Sequence, residues 1–289
     1  MIAVEHAFAS ASHPGATINE DEVAFVRDQG WVLDGATSLS GRRQVIGGQL
    51  ASDAAWFVRA FSDGMRRRPR DRPVAAWAHT VLADLDDQAR ALWGGWGGAD
   101  VPSASYAHVE VHRDTAVFWN LGDCRVLYQV DGGPIASFGS SAVGELDAVL
   151  LARYRDLRAA GLEHARAWAQ LVPTIRAHRT RMNQPDGYWI LSPDGRGLAH
   201  LERAEVGFRH ELRALLVTDG LYRLVDTYDR YAAEALFARA FAPGGLSALV
   251  HELRALEAAD ERGVAYARVK LKDDASALAA IVRRPAGAA

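Results

Sequence analysis

The alternation of hydrophobic and polar residues divides the start of the chain into three short strands. Residues 2–12 alternate loosely and predict the first strand, which the segment His13-Pro14-Gly15 ends. Apolar residues at 23–26 and 31–33 predict two further strands, and the tight connection at 27–30 joins them as a hairpin. We therefore expect the residues before the second strand and after the third to lie on the same side of one sheet.

Apolar residues spaced three and four positions apart then predict two amphipathic helices. The positions that mark them are Ile46, Leu50, Ala54, Phe57 and Phe61 in the first and Val74, Trp77, Val81, Leu85 and Leu92 in the second. Between the helices, the basic run at 66–70 is interpreted as a solvated loop rather than a phosphate or nucleic-acid patch, because its surroundings are acidic. The glycine-rich run at 94–98 lacks the ending of a phosphate-binding loop and is interpreted as a flexible connector.

The rest of the chain alternates between strand and helix patterns. Period-two alternation over 104–130 predicts a three-stranded antiparallel meander, whose turn at Gly122-Asp123 projects a carboxylate. Residues 144–182 have helical spacing, and Pro173 is expected to bend or break the second helical segment. Further strands are predicted at 188–191, about 199–206, 212–217 and 277–282, and further helices at 231–241 and 246–256.

Composition and charge narrow the functional classes. The chain has 289 residues, 49% of them hydrophobic and 24% charged, which are ordinary values for a globular protein. Its formal net charge of −3 argues against a nucleic-acid-binding surface. No apolar run approaches the roughly 20 residues that span a bilayer, and the first residues lack a signal-peptide pattern, so we expect a cytoplasmic protein without membrane contact. The single cysteine, Cys124, excludes an intramolecular disulfide and is expected to be a small core residue.

Carboxylates stand at strand ends in four places, namely Asp21, Asp34, Asp219 and Asp273. An ordinary Asp-Gly turn is the simplest interpretation of Asp34 or Asp219 taken alone. If the four converge, two unit charges about 4 Å apart repel by about 4 kcal/mol at an effective dielectric constant of about 20, so a cation or bound protons must offset the repulsion. Oxygen ligands without His or Cys suit a hard divalent ion, so the pattern predicts Mg²⁺ or Mn²⁺.

Five short motifs, taken in order, resemble those of the metal-dependent serine/threonine protein phosphatases of type 2C, the PPM family. The motifs are Asn19-Glu20-Asp21, Asp34-Gly35, Gly122-Asp123-Cys124-Arg125, Thr218-Asp219-Gly220-Leu221 and Asp273-Asp274-Ala275-Ser276. Their order extends the resemblance over nearly the whole chain, which looks like a divergent bacterial-type member. The resemblance implies an α+β fold, an α-β-β-α four-layer sandwich in which two antiparallel sheets are flanked by helix pairs.

The resemblance also implies a centre that holds two metal ions, Mg²⁺ or Mn²⁺. By its pattern, Asp34 would bridge the two ions, and the carbonyl group of Gly35 would be a further ligand. Asp219 and Asp273 would complete the first metal site. Asp34, Asp219 and Asp273 are therefore the residues that the resemblance implies to be catalytic.

The resemblance implies further ligands for a second and a third ion. Glu20 and Asp21 would hold the second ion, either directly or through water. Asp123 matches a residue that helps to hold a third ion in some members of the family. Arg223 stands where the family often supplies the aspartate that partners Asp123, which argues against a third ion here.

Two residues that handle substrate in the family are absent. Ala16 stands where the family usually has an arginine that contacts the substrate phosphate, and Ala36 stands where members often have a histidine proposed as a general acid. Loss of a general acid costs roughly 10²- to 10⁴-fold in rate. Arg42, Arg43 and His13 are nearby candidates to replace them.

The resemblance implies phosphomonoester hydrolysis, of phosphoserine or phosphothreonine in proteins, by a hydroxide that bridges two metal ions. The partner would be a phosphorylated protein, opposite a serine/threonine kinase in signalling. The missing arginine and histidine leave open a regulatory or binding module of the same fold with weak or no catalysis. A third interpretation is an unrelated α+β hydrolase with coincidental Asp-Gly turns.

We expect one phosphatase-like domain over 1–284, with a helical insertion at about 144–182 that selects substrate, and a loose tail at 285–289.

Overall fold

The computed structural model describes residues 3–16, 18–36, 52–96, 101–139 and 142–284. The strands are β1 (Ala3–Ala11), β2 (Asp21–Val26), β3 (Gln29–Gly35), β4 (Ala104–Val111), β5 (Thr115–Leu121), β6 (Arg125–Val130), β7 (Ile135–Phe138), β8 (Glu202–Gly207), β9 (Glu211–Val217) and β10 (Ala275–Arg283). The helices are α1 (Asp53–Arg66), α2 (Val74–Trp93), α3 (Ala142–Ala159), α4 (His164–Thr180), α5 (Asp219–Asp226), α6 (Ala233–Ala240) and α7 (Gly245–Ala259), with a short 3-10 helix at Arg196–His200. The predictions for Ile46 and Leu50, for Arg42 and Arg43, for part of the glycine-rich run and for the tail lie outside the described residues.

The described strands form two antiparallel five-stranded sheets. The order of the first sheet is β1-β10-β9-β6-β7, and the order of the second is β2-β3-β4-β5-β8. Helices α1 and α2 pack on the outer face of the second sheet, and α5, α6 and α7 pack on the outer face of the first. The predicted fold class, an α-β-β-α sandwich, is therefore confirmed.

Three apolar layers hold these four structural layers together. Trp31 packs beneath α1 and α2, whereas its neighbour Val32 packs between the two sheets. In the same way, Leu216 lies between the sheets and Leu215 lies beneath α5 to α7. Successive strand residues point to opposite faces, so strands covered on both faces are apolar at every position. That is the reason the short run at 31–33 predicted a buried strand correctly.

The predicted meander over 104–130 is wrong in its last strand. β4 and β5 pair as expected, but β6 leaves them and pairs with β9 and β7 in the other sheet. The chain changes sheets at Gly122, whose φ of +93° is open to glycine and strained for other residues. Strand β5 pairs at its other edge with β8, which begins about 80 residues after β5 ends. Period-two alternation identifies a strand, but it does not identify the strand's partner.

Three other local predictions also change. Residues 188–191 form isolated bridges, Ala104 with Leu191 and Met182 with Tyr188, rather than a strand. Helix α4 continues through Pro173, so the break expected as one outcome there is absent, whereas the alternative, a bend, stays a prediction. Strand β7 and helix α5 were not predicted, and α5 begins at Asp219 itself. The other predicted strands and helices are present within a few residues of their expected ends.

Helices α3 and α4 share a small apolar cluster of their own. Its buried members are Leu150, Tyr154, Leu157, Ala167 and Leu171. The helices predicted over 144–182 are therefore confirmed, whereas their standing as an insertion in one domain stays a prediction. Cys124 is fully buried between the sheets, as expected of a core residue. Among the described residues, no helix is both long enough and apolar enough to cross a membrane.

The basic run at 66–70 is not wholly a solvated loop, because Arg68 is 5% exposed. Its Nε donates to Gln29 Oε1 at 2.9 Å, and its Nη2 forms an ion pair with Glu110. Arg70, two residues further on, is exposed as the prediction expected. The sequence did not reveal this pair, because Glu110 of β4 is 42 residues away from Arg68 along the chain.

Replacing Arg68 with Met is expected to lower the free energy of unfolding by about 3 kcal/mol, since it leaves Glu110 partly buried without its cation. Urea denaturation at pH 7 measures this change. Arg70→Met is the matched control, because it removes the same charge from an exposed position and is expected to change stability by less than about 0.5 kcal/mol. Equal effects of the two substitutions would contradict the importance of the buried pair.

Candidate metal centre

The β2–β3 hairpin places two acidic residues side by side at its open end. In its register Asp21 lies directly opposite Asp34, which confirms the expectation that these ends share one side of a sheet. The peptide N–H of Gly35 donates to the carbonyl oxygen of Glu20 at 3.0 Å. A Cβ atom on Gly35 would lie 2.5 Å from that same oxygen, so this close approach requires glycine.

The other sheet brings Asp219 to the same place. Strand β9 ends at Val217, and Thr218 follows it with no exposed surface. The Thr218 hydroxyl donates to Asp21 Oδ2 at 3.0 Å and accepts from the N–H of Ser276 at 3.0 Å, so it links three of the predicted motifs. Asp219 begins α5 immediately afterwards.

Asp34 and Asp219 lie close enough for each carboxyl group to shift the pKa of the other. Burial raises the pKa of Asp34 well above its usual value, and the charges of Asp219 and Asp21 raise it further. Burial also acts to raise the pKa of Asp219, but Arg223 and the interaction with Asp34 outweigh it and hold that pKa below its usual value. The two pKa values are therefore shifted in opposite directions, that of Asp34 upwards and that of Asp219 downwards.

Asp21 adds a third carboxyl group beside this pair and is 4% exposed. Burial raises its pKa well above the usual value; a hydrogen bond with Ser276 opposes this shift, and the charges of Asp273, Asp274 and Asp219 add to it. Such shifts mark excess negative charge that a cation could neutralise in place of protons.

Asp123 occupies the turn between β5 and β6. Its carboxylate accepts a hydrogen bond from the hydroxyl of Ser105, and its own N–H donates to that hydroxyl oxygen at 3.2 Å. Burial, and then the charge of Asp219, raise the pKa of Asp123 to about 6. Asp123 therefore lies within electrostatic range of the Asp34–Asp219 pair, although no direct bond joins it to them.

The remaining predicted ligands already have partners. Asp273 accepts from Arg223 Nη2 at 2.7 Å, and Lys270 Nζ lies 3.1 Å from the same Oδ2 atom. The Glu20 carboxylate accepts from the hydroxyl of Ser52, which caps the start of α1. Asp274, next to Asp273, accepts the backbone N–H groups of His13 and Glu20 at 2.9 and 2.7 Å. The two aspartates of the motif Asp273-Asp274 therefore differ in role. The carboxylate of Asp273 pairs with cations, and that of Asp274 accepts hydrogen bonds from two backbone segments.

Within the described part of the chain, no three His, Cys, Asp or Glu side chains are arranged as ready ligands of one ion. The donor chemistry at Asp34, Asp219 and Asp21 nevertheless fits a divalent cation. These groups offer only oxygen atoms, Asp21 is buried, and Asp34 and Asp219 are half-buried. The raised pKa values of Asp34 and Asp21 indicate excess negative charge, so a divalent ion fits this end of the centre.

Two charged residues of the centre were not predicted. Lys270 stands beside Asp273, and its only signal in the sequence is the rarity of lysine, which occurs elsewhere only at position 272. Asp147 of α3 is exposed to solvent, but desolvation and then the charges of Asp123 and Asp219 raise its pKa to about 7. A helical pattern contains no signal that would single out Asp147.

The raised pKa of Asp123 gives the metal-free protein a specific pH dependence. The folded state keeps this proton up to about pH 6, whereas the unfolded state releases it near the usual value of 3.8. The stabilising contribution is therefore complete below about pH 4 and is lost as pH rises through 6. In EDTA, Asp123 should make the free energy of unfolding of the parent protein fall by up to about 3 kcal/mol between pH 4 and 7.5. We expect Asp123→Asn to lack this part of the fall. Chemical denaturation across this range tests it, and parallel curves for parent and variant would contradict it.

Solved bacterial serine/threonine phosphatases share this architecture. The catalytic domain of the serine/threonine protein phosphatase PstP, solved with two manganese ions, has a TM-score of 0.57 at 15% identity, covering 98% of this chain and 100% of that one. PppA, a key regulatory component of T6SS in Pseudomonas aeruginosa, has a TM-score of 0.56 at 18% identity over 97% of each chain. The PPM Ser-Thr phosphatase MsPP from Mycobacterium smegmatis, in complex with cacodylate, has a TM-score of 0.52 at 16% identity, covering 97% and 98%.

These similarities define the class of fold. The chain has the fold of the PPM-type serine/threonine phosphatases, in the form found in bacterial proteins. No protein-family model and no curated protein matches the sequence. The structural neighbours therefore agree with the motif resemblance on architecture, while sequence identity of 15–18% leaves the activity to be argued from the centre itself.

Proposed function

We propose that this protein hydrolyses phosphomonoesters, specifically phosphoserine or phosphothreonine in proteins, in a reaction that requires Mg²⁺ or Mn²⁺. The observation that carries the proposal is the convergence of Asp34, Asp219 and Asp21, in which Asp21 lies opposite Asp34 and accepts from Thr218, the residue before Asp219. Strand ends from both sheets supply this group, at a position where three sequence motifs resemble metal-binding motifs of the PPM family. The two manganese ions solved with PstP support a divalent metal here.

Asp34, Asp219 and Asp21, together with the carbonyl of Gly35, would hold the ion. A divalent cation bound there supplies positive charge for the phosphate oxygens and lowers the pKa of a water molecule. The Thr218 hydroxyl, through its bond to Asp21, fixes the orientation of the third carboxylate. Glu20 and Asp123 would act from further away, as ligands through water.

Not every ligand that the resemblance implies is free in this structure. Asp273, which the resemblance assigns to the first ion, is engaged by Arg223 and Lys270. Arg223 also stands where an aspartate partner of Asp123 would be needed for a third ion. The proposed chemistry needs only the ion at the Asp34–Asp219 pair.

Of the three candidates to replace the family's missing arginine and histidine, His13 lies within the described residues. The N–H of Ala16 donates to the carbonyl oxygen of His13, and the imidazole of His13 lies 3.3 Å from the carbonyl oxygen of Pro14. With Ala36 at the position of the family's histidine, the proposed leaving group takes its proton from solvent, so we expect slow turnover. A phosphorylated protein is the proposed substrate, with a serine/threonine kinase as the opposing activity, and α3 and α4 are proposed to contribute to its selection.

The test is an assay of the purified full chain with p-nitrophenyl phosphate and a phosphothreonine peptide. We expect hydrolysis of both in Mn²⁺ or Mg²⁺, with activity removed by EDTA and restored by added metal. Metal binding without any hydrolysis would favour the regulatory module of the same fold. Absence of both metal binding and hydrolysis would make the enzyme proposal wrong.

A further inference from the structure

We infer, on the basis of the function proposed above, that the ammonium group of Lys270 contacts the phosphate group of the substrate. The ligand is a phosphomonoester dianion or the inorganic phosphate that its hydrolysis releases. An ammonium group is a compact positive charge that suits phosphate oxygens. Lys270 would supply the protein cation for which this chain has Ala16 in place of the family's arginine.

Lys270 lies in the segment between α7 and β10, beside the first turn of α5. Its Nζ atom lies 3.1 Å from Asp273 Oδ2 and 3.3 Å from Asp273 Oδ1. Arg223, which lies one helical turn after Asp219 on α5, donates from Nη2 to the same Oδ2 atom at 2.7 Å. The contact with Asp273 therefore places the ammonium group at the metal centre, on the side that α5 forms.

The two cations at Asp273 differ in how accessible they are to a ligand. Arg223 is 8% exposed, and its Nη1 also donates to the carbonyl oxygen of Lys270 at 3.4 Å. The side chain of Lys270 is 42% exposed, and within the described residues its ammonium group bonds only to the carboxylate of Asp273. An ammonium group has three N–H donors, and the two oxygens of that carboxylate accept at most two of them. At least one donor of Lys270 is therefore open to a ligand that enters from solvent.

The backbone that carries Lys270 is held in place by arginine side chains. Arg268 Nε donates to the carbonyl oxygen of Leu271 at 2.8 Å, and Arg254 Nη1 donates to the carbonyl oxygen of Asp273 at 2.8 Å. Arg268 is 4% exposed, so this support belongs to the interior of the fold. A binding group on a fixed backbone loses little conformational freedom when its ligand binds, which favours a site over an incidental surface charge.

The positive charge of Lys270 acts on several walls of the centre. Desolvation raises the pKa of Asp123, in the β5–β6 turn, and of Asp147, on α3, and the charge of Lys270 opposes both shifts. The charge of Asp273, and then that of Asp219, raise the pKa of Lys270 itself above its usual value. The ammonium group therefore lies within electrostatic range of all these elements. Carboxylates alone would repel a phosphate dianion, so a protein cation at this position favours its binding.

The chain's other lysine provides a matched control for a test of Lys270. Lys272 lies two residues further along and pairs with Glu261 at 3.7 Å. Lys270→Gln and Lys272→Gln remove the same charge from different ion pairs, whereas Lys270→Arg keeps the charge at the centre. Because the side chain of Lys270 is partly exposed, we expect each variant to fold, and circular dichroism spectra like that of the parent check this.

The experiment is equilibrium dialysis of radiolabelled inorganic phosphate against the full chain at saturating Mg²⁺. We expect Lys270→Gln to bind phosphate about tenfold more weakly than the parent, with Lys272→Gln and Lys270→Arg within about threefold of it. With p-nitrophenyl phosphate, KM should rise about tenfold in Lys270→Gln while kcat changes by less than about threefold, because the contact is made before and during the reaction. A residue that acted only through Asp273 would change the Mg²⁺ concentration needed for saturation and leave phosphate affinity at saturation unchanged.

Equal phosphate affinity in Lys270→Gln and Lys272→Gln would overturn the inference, and hydrolysis by the parent would then leave the proposed function intact. Binding by Lys270→Arg as weak as that by Lys270→Gln would also overturn it, because the positive charge would not be the cause. No measurable phosphate binding by the parent would overturn it as well. Phosphate binding that depends on Lys270, without hydrolysis of any phosphoester, would keep the inference and reject the proposed function.

Discussion

Asp34→Asn is expected to reduce phosphatase activity by about 10³-fold or more and to abolish tight Mn²⁺ binding. Asp34 is one of the proposed ligands, and its amide replacement offers one neutral oxygen where an anionic ligand is needed. The same substitution should stabilise the metal-free protein at pH 8, because it removes a half-buried group whose charge is opposed by desolvation and by Asp219 and Asp21. Activity and stability are therefore predicted to change in opposite directions.

Steady-state hydrolysis of p-nitrophenyl phosphate in Mn²⁺ and thermal unfolding in EDTA measure the two effects. Asp63→Asn is the matched control, since its carboxylate is 66% exposed on α1 and away from the centre, and neither quantity should change. Full activity in Asp34→Asn would show that the centre lies elsewhere. A fall in both activity and metal-free stability would indicate a structural role for Asp34 instead.

Gly220→Ala is expected to destabilise the protein by about 4 kcal/mol or more. A Cβ atom at this position would lie 1.8 Å from the carbonyl oxygen of Asp274, so the start of α5 would have to move away from the segment before β10. Backbone atoms cannot yield as the end of a flexible side chain can. Because Asp219 precedes this glycine, the shift would also separate Asp219 from Asp34, and Mn²⁺ affinity should fall together with stability.

Urea denaturation and Mn²⁺ titration of Gly220→Ala test this prediction. Gly207→Ala is the control, because the nearest atom to a Cβ atom there is 3.9 Å away, which is an ordinary contact. We expect it to change stability by less than about 1 kcal/mol. A Gly220→Ala protein as stable as Gly207→Ala would mean that α5 and the Asp273-Asp274 segment do not approach each other as closely as described.

The part of the centre that sequence predicted well depends on short-range patterns. The apolar run at 31–33 and the turn before it define a hairpin, and a hairpin register necessarily sets the residues at its two open ends side by side. Asp21 and Asp34 therefore could be placed together without a structure. Asp219 could be added only by resemblance, because 185 residues separate it from Asp34 and no local pattern relates them.

The wrong predictions for β6 and for the basic run at 66–70 concern interactions between residues that are distant along the chain. Strand β6 alternates like its neighbours, but the backbone freedom of Gly122 lets it cross to the other sheet. Arg68 belongs to an exposed-looking basic run, but Glu110 and Gln29 lie where its side chain can reach them inside the fold. In each case the partner that decides the outcome is distant along the chain.

By itself, the sequence determined most of the strands and helices and the acidic strand ends, because side-chain alternation, helical spacing and Asp-Gly turns are properties of neighbouring residues. Only the tertiary structure decided the electrostatic state of each acid. It placed Asp34 beside Asp219, whose charge raises the pKa of Asp34, and it gave Asp273 the cations Arg223 and Lys270. A motif specifies which residue arrives at a strand end, but the charge of that residue depends on what the rest of the fold places within a few ångströms of it.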